Sequence, residues 1–336
     1  MQMRATVLAL TAPQPTDSCR LASPPPDYHI MNILFQLRFL ILSCTMLCAL
    51  LPSSSAVAQE KLDVLLVTGQ SSKYHNWEVQ STAFKRMLED AGIFNVRLLT
   101  TPASGEDMSG FDPVWTDYDA VLLDYEGDDW PDAAKKSFEK YMEQGGGLVV
   151  VHATNNAFPN WQAFLDMTGL GGWGGRTEEW GPKVRWRDGK TVLDTSSGTA
   201  QHPSRHDFPV VSRAPEHPIM KGLPSMWLHA NDELYSQLRG PANDLTVLAT
   251  ASAVRSMRNG TGENEPILMT IQYGKGRVFH TTLGHVAPNQ SEPVDSLQCV
   301  GFITTLQRGT EWAATGTVTQ EIPDDFPTAD QTSLRQ

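Results

Sequence analysis

GGGLVVVHATNN, residues 145–156, is the stretch on which the fold turns. Three glycines lead into the apolar run Leu148 to Val151, and His152 stands where the run stops. A short apolar run with a turn signal beside it reads as a buried strand. In α/β proteins the carboxyl end of a strand is where reactive groups are displayed. A histidine at that place offers acid–base work or metal ligation rather than nucleophilic attack.

Working outward, the neighbouring segments alternate in type. KLDVLLVTG (61–69) is a β-branched and leucine run ending in glycine, the pattern of a first parallel strand. NWEVQSTAFKRMLEDAG (76–92) places Val79, Phe84, Met87 and Leu88 at helical spacing and stops at Gly92. FNVRLLT and YDAVLLDYEG follow as strands. PDAAKKSFEKYMEQGGG then opens on proline and closes on glycine, as helices do. Strands alternating with helices predict βαβ units, and so an α/β fold with a doubly wound, mostly parallel sheet.

After His152 the texture changes. Residues 169–245 are rich in Gly, Pro, Trp and His, which predicts an irregular insertion over the strand ends. LTVLATA (245–251) and PILMTIQYGKGRVFHTTLGH (266–285) restore regular structure, the second as two strands joined by a Gly-Lys-Gly turn. PVDSLQCVGFITTLQRGTEWAA (293–314) fits a closing amphipathic helix. The domain is expected over 60–318, with a flexible tail over 319–336.

The amino-terminal part reads differently. Residues 31–58 place Arg38 before an apolar run from Phe39 to Leu51, followed by small residues ending Ala56-Val57-Ala58. That is the layout of a signal peptide with an A-x-A cleavage site, which predicts a periplasmic or extracellular protein. Residues 1–30 are Pro-rich and precede Met31, which marks them as a non-structural or mis-started extension. Three of the four cysteines, Cys19, Cys44 and Cys48, fall within residues 1–58, so beyond them only Cys299 remains and no internal disulfide can form. The chain carries 26 Lys and Arg against 38 Asp and Glu, a net charge of −12. That balance argues against nucleic acid or an anionic membrane as partner. No later stretch is apolar enough for a stable membrane span.

Three histidines fall at predicted strand ends: His75 after the first strand, His152 after the fourth, and His285 after a late one. The strands of a parallel sheet share one carboxyl edge, so the three can converge. The alternative is that each is an isolated structural histidine. HANDELY (229–235) adds Asp232 and Glu233. Adjacent residues of an extended segment point to opposite sides, so only one of the two acids serves a site. GLGGWGGR (169–176) lacks the Lys-Ser/Thr ending of a phosphate loop, and Trp77, Trp173 and Trp180 offer either sugar-stacking faces or core packing.

GGGLVVVHATNN, EHPIMKGLP, WLHANDELY and YGKGRVFHTTLGH, in this order, resemble the ThuA-like (trehalose-utilisation) family over roughly residues 62–312. That family belongs to the class I glutamine amidotransferase-like superfamily, and the resemblance implies a flavodoxin-like sheet. In amidotransferases of the superfamily the strand-end elbow carries a cysteine nucleophile; here His152 takes that place. Cys299, in the closing helix, cannot substitute for it. The resemblance therefore implies chemistry other than glutamine hydrolysis, on a small-molecule carbohydrate such as a keto-disaccharide or glycoside. The expected catalytic set is His152, His285 and Glu233, by acid–base or metal-assisted chemistry. The same three would hold a divalent metal such as zinc. His75, Trp77, Asn155, Trp173, Arg176, His217 and Asp232 are the expected substrate contacts. The rival reading is a non-catalytic sugar-binding protein on the same fold.

Overall fold

The computed structural model describes residues 60–335. The leader at 31–58 and the extension before it lie outside the described residues.

Eleven strands and five α-helices follow one another among the described residues. Strands β1 (Leu62–Thr68), β2 (Phe94–Thr100), β3 (Ala120–Leu123) and β4 (Gly147–Val151) match the runs read from the sequence. Helices α1 (Trp77–Asp90) and α2 (Asp132–Glu143) alternate with them. Asn76 caps α1 by accepting the Val79 N–H, as N-cap asparagines do. Helix α3 (Gln162–Thr168) follows β4. Later strands are β5 (Lys183–Arg187), β6 (Lys190–Asp194), β7 (His206–Ser212), β8 (Met226–Asp232), β9 (Leu245–Ala251), β10 (Glu265–Tyr273) and β11 (Gly276–Thr281). The chain then forms α4 (Asp295–Gln298) and α5 (Val300–Thr315).

Nine strands form one sheet in the order β2-β1-β3-β4-β11-β10-β9-β7-β8. Its first five members are parallel to one another, and the remaining pairings are antiparallel. The alternation of β1 shows how the sheet is covered on both faces. Val64 and Leu66 pack with Phe84 and Leu88 of α1 and with Phe302 and Leu306 of α5. Leu65 and Val67 pack on the other face with Phe138 of α2 and Phe164 of α3. A strand buried on both faces needs a continuous apolar run, which is why β1, β3 and β4 were legible.

Two expectations change. Residues 169–245 are not a wholly irregular insertion, because they contain β5 to β8. The pair β5–β6 forms a separate hairpin, while β7 and β8 extend the main sheet. These strands carry Pro, His and Asp within short alternating runs, so periodicity alone did not separate them from loop. The segment is fastened by Arg239, whose buried guanidinium donates to the carbonyls of Gly181 and Gly198 at 3.2 and 3.0 Å and to that of Ser196. The second correction concerns residues 319–335, which are docked rather than flexible. Ile322 and Phe326 pack against the core, Val300 N–H donates to the Ser333 carbonyl, and Arg335 N–H donates to that of Gln298.

His280 on β11 adds a testable property of the core. Its Nδ1 donates to the Thr168 carbonyl at 2.9 Å, and its Nε2 accepts from the Asn155 amide at 3.2 Å. Burial pulls its pKa from 6.5 down to about 4. Because the folded value lies below the unfolded one, the contribution to stability is complete above about pH 6.5 and is lost as pH falls toward 4. For one group this is worth about 3 kcal/mol at most. Urea midpoints measured from pH 7 to 4 should fall more steeply in the native protein than in His280→Gln. Equal slopes would refute the assignment.

Candidate active site

The site lies at the carboxyl edge of the parallel strands. His75 sits in the loop after β1, His152 directly after β4, His285 in the loop after β11, and Glu233 directly after β8. The three imidazole rings form a near-equilateral triangle, with centroids 5.1, 5.2 and 5.3 Å apart. One ligand atom from each of His75, His152, Glu233 and His285 lies within 4.8 Å of those from the others. The three histidines expected to converge do so, and Glu233 joins them.

Local backbone sets each side chain. His152 begins a 3-10 turn with φ of +48°, a region that non-glycine residues rarely occupy. Its Nδ1 lies 2.8 Å from the Thr282 carbonyl, which can only accept. The proton is therefore on Nδ1, and the Nε2 lone pair faces the cluster. Nε2 takes a 2.8 Å hydrogen bond from the Tyr235 hydroxyl and lies 3.3 Å from His285 Nδ1. His285 Nδ1 in turn is 3.3 Å from Glu233 Oε2.

Burial keeps the His152 and His285 imidazoles neutral. Burial, with His75 and His285 beside it, holds His152 well below its ordinary value. Burial, then His75, brings His285 down to about 4. Burial, then Asp232, pushes Glu233 up to about 7. Burial holds the Tyr235 phenol well above its usual range, so it remains a donor. The result is two neutral imidazoles, those of His152 and His285, beside a Glu233 carboxyl whose ionisation is held back to about 7.

A cleft of about 500 Å³ opens over the cluster. His75, Glu233, Tyr235 and His285 form its floor, with Trp173, Tyr74, His202 and Arg205 on its walls. The Trp173 ring stands 4.5 Å from that of Tyr235, and Tyr74 is 62% exposed although aromatic. Arg205 leans on the Gln290 side chain at 3.1 Å.

Of the expected substrate contacts, His75 and Trp173 line the cleft, and His75 also joins the donor cluster. The others do not line it. Asn155 is wholly buried beneath the floor against His280. Arg176 is buried, donating to the carbonyls of Asn155 and Arg239 under the Trp180 ring. Both are polar residues whose partners are internal, a use that sequence does not distinguish from ligand binding. His217 lies elsewhere, its ring 5.0 Å from that of Trp312, with burial bringing it down to about 4. Trp77 opens α1 and is half-buried outside the cleft lining. Asp232 is fully buried behind Glu233, as the alternation of adjacent acids requires. Burial works against its ionisation, but the His229 hydrogen bond and charge, His152 and the Gly284 N–H together outweigh it and hold the carboxyl below the usual range.

The sequence reading overlooked Tyr235, Glu126, His202 and Arg205. Tyr235 had a usable signal, since it stands two residues after Glu233 and so shares its side of an extended segment. Tyr74 adjoins His75 in SSKYHNW. Glu126, 3.5 Å from His75 Nδ1, had none, because it comes from a loop after β3 that only the sheet order brings alongside.

Comparison with known proteins accords with this picture. The sequence matches the family model ThuA, trehalose utilisation, over residues 63–313. A solved ThuA-like protein from Parabacteroides merdae is 45% identical, with 82% of this chain and 98% of that one covered and a TM-score of 0.79. A second, from Bacteroides uniformis, shares the fold at 18% identity and a TM-score of 0.51, over 79% of this chain and 96% of that one. No curated protein matches the sequence. A chain matched over that span, and over nearly the whole of a solved relative, belongs to the ThuA family.

Proposed function

We propose that the protein is an exported enzyme that acts on an oxidised carbohydrate, a keto-disaccharide or keto-glycoside, at a divalent metal centre held by His75, His152, His285 and Glu233. The observation that carries this reading is the convergence of these four side chains, three of them lining an open cleft and His152 buried directly behind them. The donor set fits such an ion. Bonds of about 2.0 Å in tetrahedral geometry put ligand atoms about 3.3 Å apart. The His152–His285 and His285–Glu233 separations are both 3.3 Å, and that of His152 and Glu233 is 3.9 Å, so the set needs only a modest contraction around an ion. Imidazole and carboxylate ligands suit zinc and its first-row neighbours.

When bound, the metal would polarise a carbonyl or acidify a water. The chain's own groups do the rest. Thr282 fixes the His152 tautomer so that its lone pair faces inward. Tyr235 keeps its proton, which it donates to His152 Nε2 in this structure; with that lone pair committed to a metal, the hydroxyl would be free to donate to a substrate oxygen. Trp173 and Tyr74 offer flat apolar faces to a sugar ring, and His202 and Arg205 offer polar contacts above it. Gathered histidines and a cleft do not fit a purely structural domain, which needs neither. The substrate class rests on the family's description, trehalose utilisation.

A screen of keto- and unoxidised disaccharides, with and without added divalent metals, tests the proposal. Metal-dependent turnover of a keto sugar is expected; tight binding without turnover would favour the sugar-binding alternative. Glutamine is expected to release no ammonia. The elbow holds His152 rather than cysteine, and Cys299 is fully buried in the core. Cys299→Ser should leave turnover unchanged, and ammonia release abolished by that change would overturn the reading. Export follows from the leader at 31–58, so mass spectrometry of the native protein should find Gln59 at the N-terminus. An intact leader would refute it.

A further inference from the structure

We propose that Asp232 is a positioning residue of this centre, a carboxylate that touches neither metal nor substrate and fixes the spacing of Glu233 and His285. The inference rests on the metal-site reading above. Asp232 Oδ1 accepts the Glu233 N–H at 2.8 Å and the His285 N–H at 3.1 Å. Its Oδ2 accepts the Gly284 N–H at 2.8 Å and His229 Nε2–H at 2.9 Å. One buried carboxylate thus grips the backbone of both ligand-bearing segments, which lie about fifty residues apart in sequence.

The sheet does not make this link. Glu233 follows β8, at the far edge of the sheet, whereas His285 follows β11, with β10, β9 and β7 between them. Small changes in twist accumulate across those strands, so the ladder alone would leave the two ligands loosely related. Asp232 joins them directly. The backbone is bent to allow it. Asn231 has φ of +31°, and after it Asp232 is fully buried while Glu233 lines the cleft. Gly284 has φ of +109°, and a Cβ there would sit 3.1 Å from the Phe302 ring. Strained backbone beside a fully buried acid persists where the surroundings over-determine it, and such places cluster at functional sites.

An amide cannot replace this carboxylate. Asparagine has one acceptor oxygen and an NH2 group, which would face an N–H from Gly284, His229, Glu233 or His285. The test uses cobalt(II) as a spectroscopic probe with the exported chain, titrated in competition with a chelator. Folded Asp232→Asn is expected to bind cobalt about 10- to 100-fold more weakly, with altered visible bands. At saturating cobalt its kcat should fall while KM changes little. Cobalt affinity within about threefold of the native protein and an unchanged spectrum, in a variant folded by circular dichroism, would overturn the proposal. If Asp232→Asn does not fold, His229→Gln keeps an N–H donor on the carboxylate but lets it shift. It should move affinity and spectrum in the same direction, and native behaviour would again overturn the idea. Native protein that binds no cobalt would overturn the metal reading itself, and this inference with it.

Discussion

Alanine at His152 or at His285 is expected to lower turnover by about 100-fold or more, a typical size for positioned acid–base groups, with the double variant little worse than either single one. The reason is their shared geometry. His152 Nε2 and His285 Nδ1 are 3.3 Å apart and both face Glu233, so each serves the same ion or the same proton. Losses within a unit of this kind are strongly non-additive. The two variants differ in their structural cost. His152 is wholly buried and hydrogen-bonded to the Thr282 carbonyl and the Tyr235 hydroxyl. Its removal leaves both partners unpaired, at about 1–3 kcal/mol. Turnover must therefore be normalised to folded protein by circular dichroism. A double variant whose loss equals the product of the single losses would mean that the two histidines act independently, and the shared-centre reading would fail.

How much of this was readable in advance depended on the kind of signal. The parallel half of the sheet was legible because strands buried on both faces must be apolar throughout, and Leu148 to Val151 or Val64 to Val67 can be little else. The convergence of His75, His152 and His285 followed from one topological rule about strand ends. Glu233 was separated from Asp232 by alternation alone. What stayed hidden was set by partners distant in sequence. Arg176 and Asn155 look like ligand-binding residues until Arg239, His280 and the Trp180 ring are seen to occupy them. Strands β7 and β8 contain Pro209, His229 and Asp232, whose place in a sheet is justified by Asp232's bonds to the β11 loop. The docked tail reads as polar, yet Ile322 and Phe326 are its anchors. His75 was expected as a substrate contact. Its convergence with the other two was legible, but nothing in the sequence marked it as a fourth donor within ligand distance of His152, Glu233 and His285.

That fourth donor makes metal removal the most demanding test. Protein stripped with a chelator to a small fraction of an ion per chain should lose nearly all turnover and regain it on addition of zinc or cobalt. Stability should fall as well. An ion that binds only the folded chain adds about 2.7 kcal/mol when present at 100 times its dissociation constant. For a domain of this size that corresponds to a drop in Tm of about 5–10 °C on stripping. The two readouts separate two roles. A metal that merely braced the loops after β1, β4 and β11 would restore Tm without governing turnover, and different ions would then support equal rates. A catalytic metal should give rates that depend on the ion at equal Tm. His75→Ala provides the internal control, since it removes one donor of four. It should weaken binding while leaving three ligands, so excess metal should recover part of the activity. Full turnover in stripped native protein would remove the metal from the mechanism and return the chemistry to His152, His285, Glu233 and Tyr235 acting alone.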